Sequence, residues 1–282
     1  MTRLHQRSKS LSHDLSRFVA KLSEGVSEKG VHRLRTTIRR VETLAYHAAP
    51  NLGRKQEKAL EEIRALRKRA GKVRDLDIQI GLLSTIGNGS ASPDRRALAD
   101  ALKKKRGKQV ARLAGAMKKL EGAKLFSRLA RIADGSHAEE AGNSGASLAQ
   151  IREQLSQLAE EYSSRQILKP ARLHELRIKL KLLRYQSELA ADTSEQRDLV
   201  EELKSVQDSI GEWHDWEMLA QSAEKYFSDR VNCALLVEIR SLLAAKYSAA
   251  GSAAATLVSA YAPAGRKKPA SVQSAMTFAR RA

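Results

Sequence analysis

The chain has 282 residues, a formal net charge of +19 and a single cysteine, Cys233. A chain of this length can form one large or two ordinary domains, and its hydrophobic content of 42% excludes a purely disordered basic protein. The charge favours a polyanionic partner, the lone cysteine excludes an internal disulfide and fits a reducing compartment, and no segment approaches the ~20 apolar residues of a membrane span.

Helix-forming residues dominate the long spans between the five prolines, aromatics make up only 4% of the chain, and strand-like alternation is scarce. These features predict an all-α protein with short connections, which are typical of two antiparallel four-helix bundles. The predicted helices cover 2–24, 30–48, 53–86 and 93–134 in the first bundle, and 146–165, 171–191, 195–225 and 228–260 in the second. The predicted domains are 1–136 and 146–261, followed by a basic, disordered tail over 262–282.

One basic pattern occurs twice in the chain. His32, Arg35 and Arg39 are followed at an offset of 142 residues by His174, Arg177 and Lys181. A second pair of segments follows at an offset of 140 residues, where Gly71-Lys-Val-Arg-Asp75 matches Gly211-Glu-Trp-His-Asp215. Two matches in the same order and at nearly the same offset indicate a duplicated unit.

The cations of each repeated helix lie on one side of a helical wheel. In the first copy they fall within an arc of about 60°, which on its own is typical of a solvated helix face. In the second copy, the stripe lies between two apolar faces, one of Leu176, Leu180 and Leu183 and the other of Ile178, Leu182, Tyr185 and Leu189. We therefore expect this helix to pack on both flanks and its cations to line a wet groove, because buried unpaired cations are too costly.

The residue types in these stripes suit phosphate. Arginine presents a planar fork to phosphate oxygens, lysine adds a mobile charge, and histidine can donate hydrogen bonds in either protonation state. Arg64 and Lys204 align across the repeat and extend the predicted lining, while Asp75 and Asp215 are expected to orient a neighbouring arginine or histidine. The candidate binding residues are His32, Arg35, Arg39, Arg40, His174, Arg177, Lys181, Arg184, Arg64 and Lys204.

These motifs resemble the CHAD family, the conserved histidine α-helical domain, over residues from about 5 to 250. The resemblance implies two four-helix bundles related by a pseudo-twofold axis, with a basic central channel that binds inorganic polyphosphate. It also implies an association with polyphosphate granules. One departure is Glu42, which stands where the second copy has Arg184. Glu42 is expected either to weaken ligand binding by the first half or to tether a neighbouring arginine.

The function expected from the sequence is non-catalytic binding of polyphosphate, with no cofactor and no metal, by a cytoplasmic protein that is located on polyphosphate granules. The chain has neither a Gly-rich phosphate loop ending in Lys-Ser/Thr nor a His-Glu-x-x-His zinc motif, so an enzyme is not expected. The alternative is a helical module that binds nucleic acid, although aromatic stacking platforms are scarce. The basic run over 95–119 is interpreted either as a second anion surface or as a solvated helix face.

Overall fold

The computed structural model describes residues 3–47, 52–87, 92–120, 122–132, 147–162, 169–188 and 193–262. This part of the chain is helical and contains no strand, which confirms the predicted all-α class. Its helices are α1 (Arg3–Glu24), α2 (Glu28–His47), α3 (Arg54–Thr85), α4 (Pro93–Lys118), α5 (Gly122–Ala130), α6 (Leu148–Tyr162), α7 (Pro170–Ser187), α8 (Ser194–Tyr226) and α9 (Ala234–Tyr261). The tail beyond Ala262, the linker around 134–146 and Leu189 lie outside the described residues.

Hydroxyl side chains mark the beginnings of the even-numbered helices. Such a side chain accepts a hydrogen bond from one of the backbone N–H groups that the first helical turn leaves unpaired. At α6, Ser147 and Gln150 each bond the backbone N–H of the other, at 3.2 and 2.8 Å, which forms a capping box. The other hydroxyl caps are Ser27, Ser92 and Thr193.

The chain divides into two compact units. The first unit contains α1 to α5 together with residues 221–238, and the second contains α6, α7, the first 27 residues of α8 up to Ala220, and α9 from Ile239. The pseudo-twofold relation between two four-helix bundles, and the boundaries at 136 and 146, stay predictions.

The core of the first unit lies between α1, α2, α3 and the α4–α5 region. Each helix contributes leucines or β-branched residues at one-turn spacing, among them Leu15, Leu34, Ile38 and Ile63, which are almost completely buried. α3 packs against α2, α4 and α5, and α1 packs against α2, α4 and α5. This arrangement holds α2 beside α3 and so fixes the two helices that carry the first copy of the basic pattern.

The helix predicted over 93–134 is divided in the structure into α4 and α5. The last turn of α4 tightens, because the N–H groups of Lys119 and Leu120 bond to carbonyls three residues earlier, at 3.2 and 3.1 Å. α5 then packs along α1, where the hydroxyls of Ser8 and Ser12 donate to the carbonyls of Leu129 and Phe126 at 2.8 and 2.6 Å. The single long helix was therefore a wrong prediction, and packing of α5 on α1 explains the break.

The core of the second unit is formed by buried residues of α6, α7, α8 and α9. Leu176, Leu180 and Leu183 contribute the predicted apolar face of α7. The other predicted face is only partly buried: Tyr185 is 7% exposed, but Ile178 is 56% and Leu182 is 42% exposed. The prediction that α7 packs on both flanks was wrong at these two positions, because a helical wheel identifies apolar residues without showing which of them meet a neighbour.

Candidate anion-binding clusters

In the first unit, Arg35 of α2 lies over Gly71 of α3. Its Nε, Nη2 and Cζ atoms lie 3.9, 3.9 and 4.0 Å from the position that a Cβ would take at Gly71. Three nearly equal distances show that the face of the guanidinium, rather than its edge, covers the glycine. Gly71 is buried, and its lack of a side chain leaves room for a planar cation at this helix crossing.

Further charges of α2 and α3 surround Arg35. Nη1 of Arg35 lies 3.9 Å from Oδ1 of Asp75, so Asp75 stands beside an arginine as expected, and its orienting role stays a prediction. Burial lowers the pKa of Arg35, Asp75 opposes this effect, and the positive charges of Arg39, Arg67 and Arg74 add to the lowering. In the described part of the chain, the buried Nε of Arg35 donates no hydrogen bond. The guanidinium is therefore held at a site where positive charge is concentrated and one donor is unused.

His32 lies one helical turn before Arg35 and shares this environment. Burial lowers the pKa of His32, and the nearby charges of Arg74 and Arg35 lower it further against the opposing effect of Glu28. Arg74 is itself paired with Glu28 through Nη1. We call His32, Arg35, Arg39, Arg67 and Arg74 the α2–α3 cluster.

Glu42 binds arginines from the neighbouring helix. Nε of Arg67 lies 3.0 Å from Oε2 of Glu42, and Nε of Arg64 lies 3.7 Å from Oε1 of the same carboxylate. Of the two expectations for Glu42, the tethering of a neighbouring arginine is the one that the structure confirms. Arg64 is drawn toward this carboxylate, and its role in ligand binding stays a prediction.

The second unit repeats the arginine–glycine arrangement. Nε of Arg177 on α7 lies 3.9 Å from the Cβ position of Gly211 on α8, the same distance as in the first unit. The rings of His174 and His214 lie beside each other, with centroids 5.1 Å apart and planes inclined by 55°. Arg177 and Lys181 are close enough to act electrostatically on His214. We call His174, Arg177, Lys181 and His214 the α7–α8 cluster.

His214 is held neutral in the free protein. Burial is the largest cause that lowers its pKa to about 4, and Arg177, His174 and Lys181 each contribute. Nδ1 of His214 lies 3.3 Å from Oε2 of Glu217. A carboxylate only accepts hydrogen bonds, so Nδ1 carries the hydrogen and Nε2 is left as an acceptor. Burial also raises the pKa of Glu217.

Arg184 and Gln207 form the counterpart of the contact between Glu42 and Arg67. Nε of Arg184 donates to Oε1 of Gln207 at 3.1 Å, just as Nε of Arg67 donates to Glu42 at 3.1 Å. The donor lies on the second helix of the pair, α3, in the first unit and on the first helix of the pair, α7, in the second unit. Arg184 also pairs through Nη1 with Glu188 at 2.6 Å and is 17% exposed, so its Nε and Nη1 already have internal partners.

Most of the candidate residues lie in the two clusters. His32, Arg35 and Arg39 meet in the first unit, and His174, Arg177 and Lys181 meet in the second. Arg40 is half-buried on α2, and exposed Lys204 pairs with Glu201 at 3.3 Å. The roles of these two residues, and that of Arg184, stay predictions.

Three cluster members are absent from the sequence-based set. Arg74 and His214 stand opposite each other in the aligned repeat, so that alignment was the signal that could have identified them. Arg67 gave no such signal, because its counterpart is the uncharged Gln207.

Two further findings limit the chemistry of the described residues. No group of three or more His, Cys, Asp or Glu side chains lies close enough to hold a metal ion within the ranges that the structure describes. In the same ranges, no helix has both the length and the apolar character needed to cross a bilayer.

Comparisons with known proteins identify the family. A family model described as the CHAD domain matches residues 9–224. No curated protein sequence matches the chain. Among solved structures, the crystal structure of the CHAD domain from the plant Ricinus communis is similar, with a TM-score of 0.65 and 18% identity over 92% of this chain and 89% of that one. At this identity, the structural likeness supports the fold alone, whereas the family model covers most of the chain. The chain therefore belongs to the CHAD-domain family.

Proposed function

We propose that this protein binds inorganic polyphosphate through the α2–α3 and α7–α8 clusters. The observation that carries the proposal is the duplicated arginine, placed 3.9 Å from the Cβ position of a glycine on the next helix and surrounded by further cations. Such a site presents several donors to an anion and has a glycine surface, instead of a large side chain, beneath the guanidinium. Guanidinium groups bind phosphate oxygens in pairs, and each added phosphate offers the same contacts again.

The burial of aromatic residues favours polyphosphate over single-stranded nucleic acid. Proteins that bind single strands stack bases on aromatic side chains. Trp213 and Trp216 flank His214 in sequence, but they are only 2% and 4% exposed. A polyphosphate chain needs cations and donors without stacking surfaces, so these clusters match it better than a nucleic acid.

Competition at equal ligand charge tests this preference. Long polyphosphate and single-stranded RNA would compete for the protein at physiological salt, and polyphosphate is expected to displace RNA. Binding should weaken steeply with salt, because counterions are released from the polyanion. Displacement of polyphosphate by RNA would instead support the nucleic-acid alternative.

Removal of two cations from the α7–α8 cluster tests the location of the site. Arg177→Ala with Lys181→Ala should weaken polyphosphate binding at least tenfold, since charge-assisted hydrogen bonds contribute roughly 1.5–3 kcal/mol each. The matched control is Lys104→Ala with Lys105→Ala, because both lysines are exposed on α4. Circular dichroism would establish that helix content is unchanged. An equal loss in the control would show diffuse attraction to a basic surface.

The proposal also includes the absence of catalysis and a location in the cell. Incubation with long polyphosphate and a divalent metal should leave the length of the polyphosphate unchanged. A fluorescent fusion is expected to collect on polyphosphate granules in the cytoplasm, and the Arg177→Ala/Lys181→Ala variant should collect less. The family resemblance further implies that the two clusters line one channel, and a gain in affinity with polyphosphate length would support this arrangement.

A further inference from the structure

A cleft lies within the first unit. It has a volume of about 420 Å³ and lies between α3, the end of α4 and α5. Leu66 and Leu125 lie beneath it as buried members of the hydrophobic core, and the more exposed Ala65, Ala116 and Leu120 form its apolar floor. The volume is within the range of small-molecule sites, roughly 300–1,000 Å³. We call this space the α3–α5 cleft.

Cations dominate the rim of the α3–α5 cleft. Lys58, Arg69, Lys119 and Arg128 line it together with one acid, Glu62. Among the described residues, none of these four cations forms an ion pair or a side-chain hydrogen bond. Four like charges around one apolar floor repel each other, and an anion placed between them would relieve that repulsion.

The α3–α5 cleft is separate from the α2–α3 cluster. Lys58, Glu62 and Arg69 of the cleft share one face of α3, whereas Arg67 and Arg74 of the cluster lie roughly 180° away around the same helix. The two surfaces also differ in what lies beneath the charges. Apolar side chains form the floor of the cleft, and the backbone at Gly71 underlies Arg35 in the cluster.

We propose that the α3–α5 cleft binds a small amphiphilic anion, whose apolar body carries one phosphate, sulfonate or carboxylate group. The apolar body lies on Ala65, Ala116 and Leu120, since burial of apolar surface is favourable. The anionic group lies among the rim cations. A bare polyphosphate chain gains no contact from an apolar floor and loses hydration there, so it is not the ligand of this cleft.

The test uses the full chain and the aromatic sulfonate 8-anilinonaphthalene-1-sulfonate as the probe. Its fluorescence should saturate with one site per chain at low ionic strength. Arg69→Ala with Lys119→Ala should weaken binding about tenfold, because two charged contacts are lost at an open and partly screened site. The matched control is Lys104→Ala with Arg112→Ala, which removes one lysine and one arginine that are both exposed on α4. Binding in this control should change less than about twofold.

A second arm identifies the ligand class. Octyl phosphate should displace the probe, whereas octanol and inorganic phosphate at the same concentration should not. Ala65→Phe, which adds a ring at the exposed edge of the floor, should also reduce probe binding. An equal loss in the Lys104→Ala/Arg112→Ala control, or no displacement by octyl phosphate, would overturn the proposal.

The cleft can be tested independently of the proposed function. Arg69→Ala/Lys119→Ala should leave polyphosphate affinity within about twofold of the parent, because these two cations lie outside both clusters. Binding of the probe by a protein that does not bind polyphosphate would leave the cleft proposal intact. A tenfold loss of polyphosphate affinity in this variant would overturn it, since the cleft would then belong to the polyphosphate site.

Discussion

The α2–α3 and α7–α8 clusters share one framework but differ in the residues around it. In both, an arginine lies 3.9 Å from the Cβ position of a glycine on the next helix. The residue three positions after that glycine is Arg74 in the first unit and His214 in the second. Arginine side chains are charged at physiological pH in general, whereas burial and neighbouring cations lower the pKa of His214 to about 4. The two clusters therefore share the position of the arginine and differ in how their charge responds to pH.

The contact farther along the same helices shows the same divergence. Glu42 accepts from Arg67 and also pairs with Arg64, whereas Arg184 donates to the uncharged Gln207 and forms its ion pair with Glu188 instead. In both contacts, an arginine Nε donates across the helix pair at 3.1 Å. The contact between the two helices is thus an ion pair in the first unit and a hydrogen bond to an uncharged side chain in the second.

The largest expected effect concerns stability and His214. The folded pKa of about 4 lies below the ordinary value of 6.5, so the unfolded chain takes up a proton at a higher pH than the folded chain does. Stability that is present above pH 6.5 is therefore lost as the pH falls toward 4. Between pH 7.5 and 5, this residue should reduce the free energy of unfolding by about 2 kcal/mol, as measured by urea denaturation.

The corresponding controls are His214→Gln and His32→Gln. His214→Gln should remove most of this pH dependence. His32→Gln should remove less, because His32 is more exposed than His214. An unchanged dependence in His214→Gln would mean that His214 is not held neutral by its surroundings.

The next effect concerns the glycines beneath the arginines. In Gly211→Val, the added methyl groups extend about 1.5 Å beyond the Cβ, which lies 3.9 Å from Arg177 Nε, so the guanidinium must move. Polyphosphate affinity should fall about tenfold, which corresponds to roughly 1.4 kcal/mol. Gly71→Val should act in the same way on Arg35. Titration of each purified variant with long polyphosphate measures the change.

Gly211→Ala provides the matched control at the same position. Its Cβ would stand at an ordinary contact distance of 3.9 Å, so binding should be kept. Replacement of glycine inside α8 should also raise stability by about 0.5–1 kcal/mol. A loss of affinity in Gly211→Ala as large as in Gly211→Val would show that room for the arginine is not what the glycine provides.

A smaller effect is expected on the pH dependence of binding. Bound phosphate raises the pKa of a histidine that it touches, so polyphosphate binding takes up protons and strengthens as the pH falls. Affinity should rise about fivefold from pH 7 to pH 6 at fixed ionic strength. Long chains are the ligand to use, because their few terminal phosphates add little titration of their own.

Most of this slope should come from the α7–α8 cluster, which has two histidines where the α2–α3 cluster has one. His174→Gln with His214→Gln should therefore flatten the slope more than His32→Gln does. Equal slopes in the parent, in His174→Gln/His214→Gln and in His32→Gln would show that the histidines do not contact the bound anion.

The smallest effect concerns Glu42. Glu42→Gln removes the charge that holds Arg67 and Arg64, so both arginines become more available to an anion. Affinity for polyphosphate should rise about threefold, because these are partly exposed ion pairs of modest strength. Isothermal titration calorimetry can resolve a change of this size. A fall in affinity would show that Glu42 is needed to position an arginine that contacts the ligand.

Sequence reasoning succeeded where the information was local or repeated. Leucine periodicity identified the buried face of α7, and the repeat identified His32, Arg35, His174 and Arg177. It failed where the result depended on a partner helix. The break before α5 arises from packing on α1, and neither the exposed Ile178 nor the Glu42–Arg67 pair is visible without the neighbouring helix. The aligned repeat did contain His214, but a histidine opposite an arginine does not show that the two share a role.

The most direct test of the two clusters is NMR of the arginine side chains during titration with long polyphosphate. Each Nε–H gives its own resonance, which can be assigned through Arg35→Lys and Arg177→Lys variants. The resonances of Arg35 and Arg177 should shift with the first additions of ligand, while that of Arg112, exposed on α4, should stay in place. If Arg112 and other exposed arginines shift while Arg35 and Arg177 do not, the duplicated clusters are not the polyphosphate site.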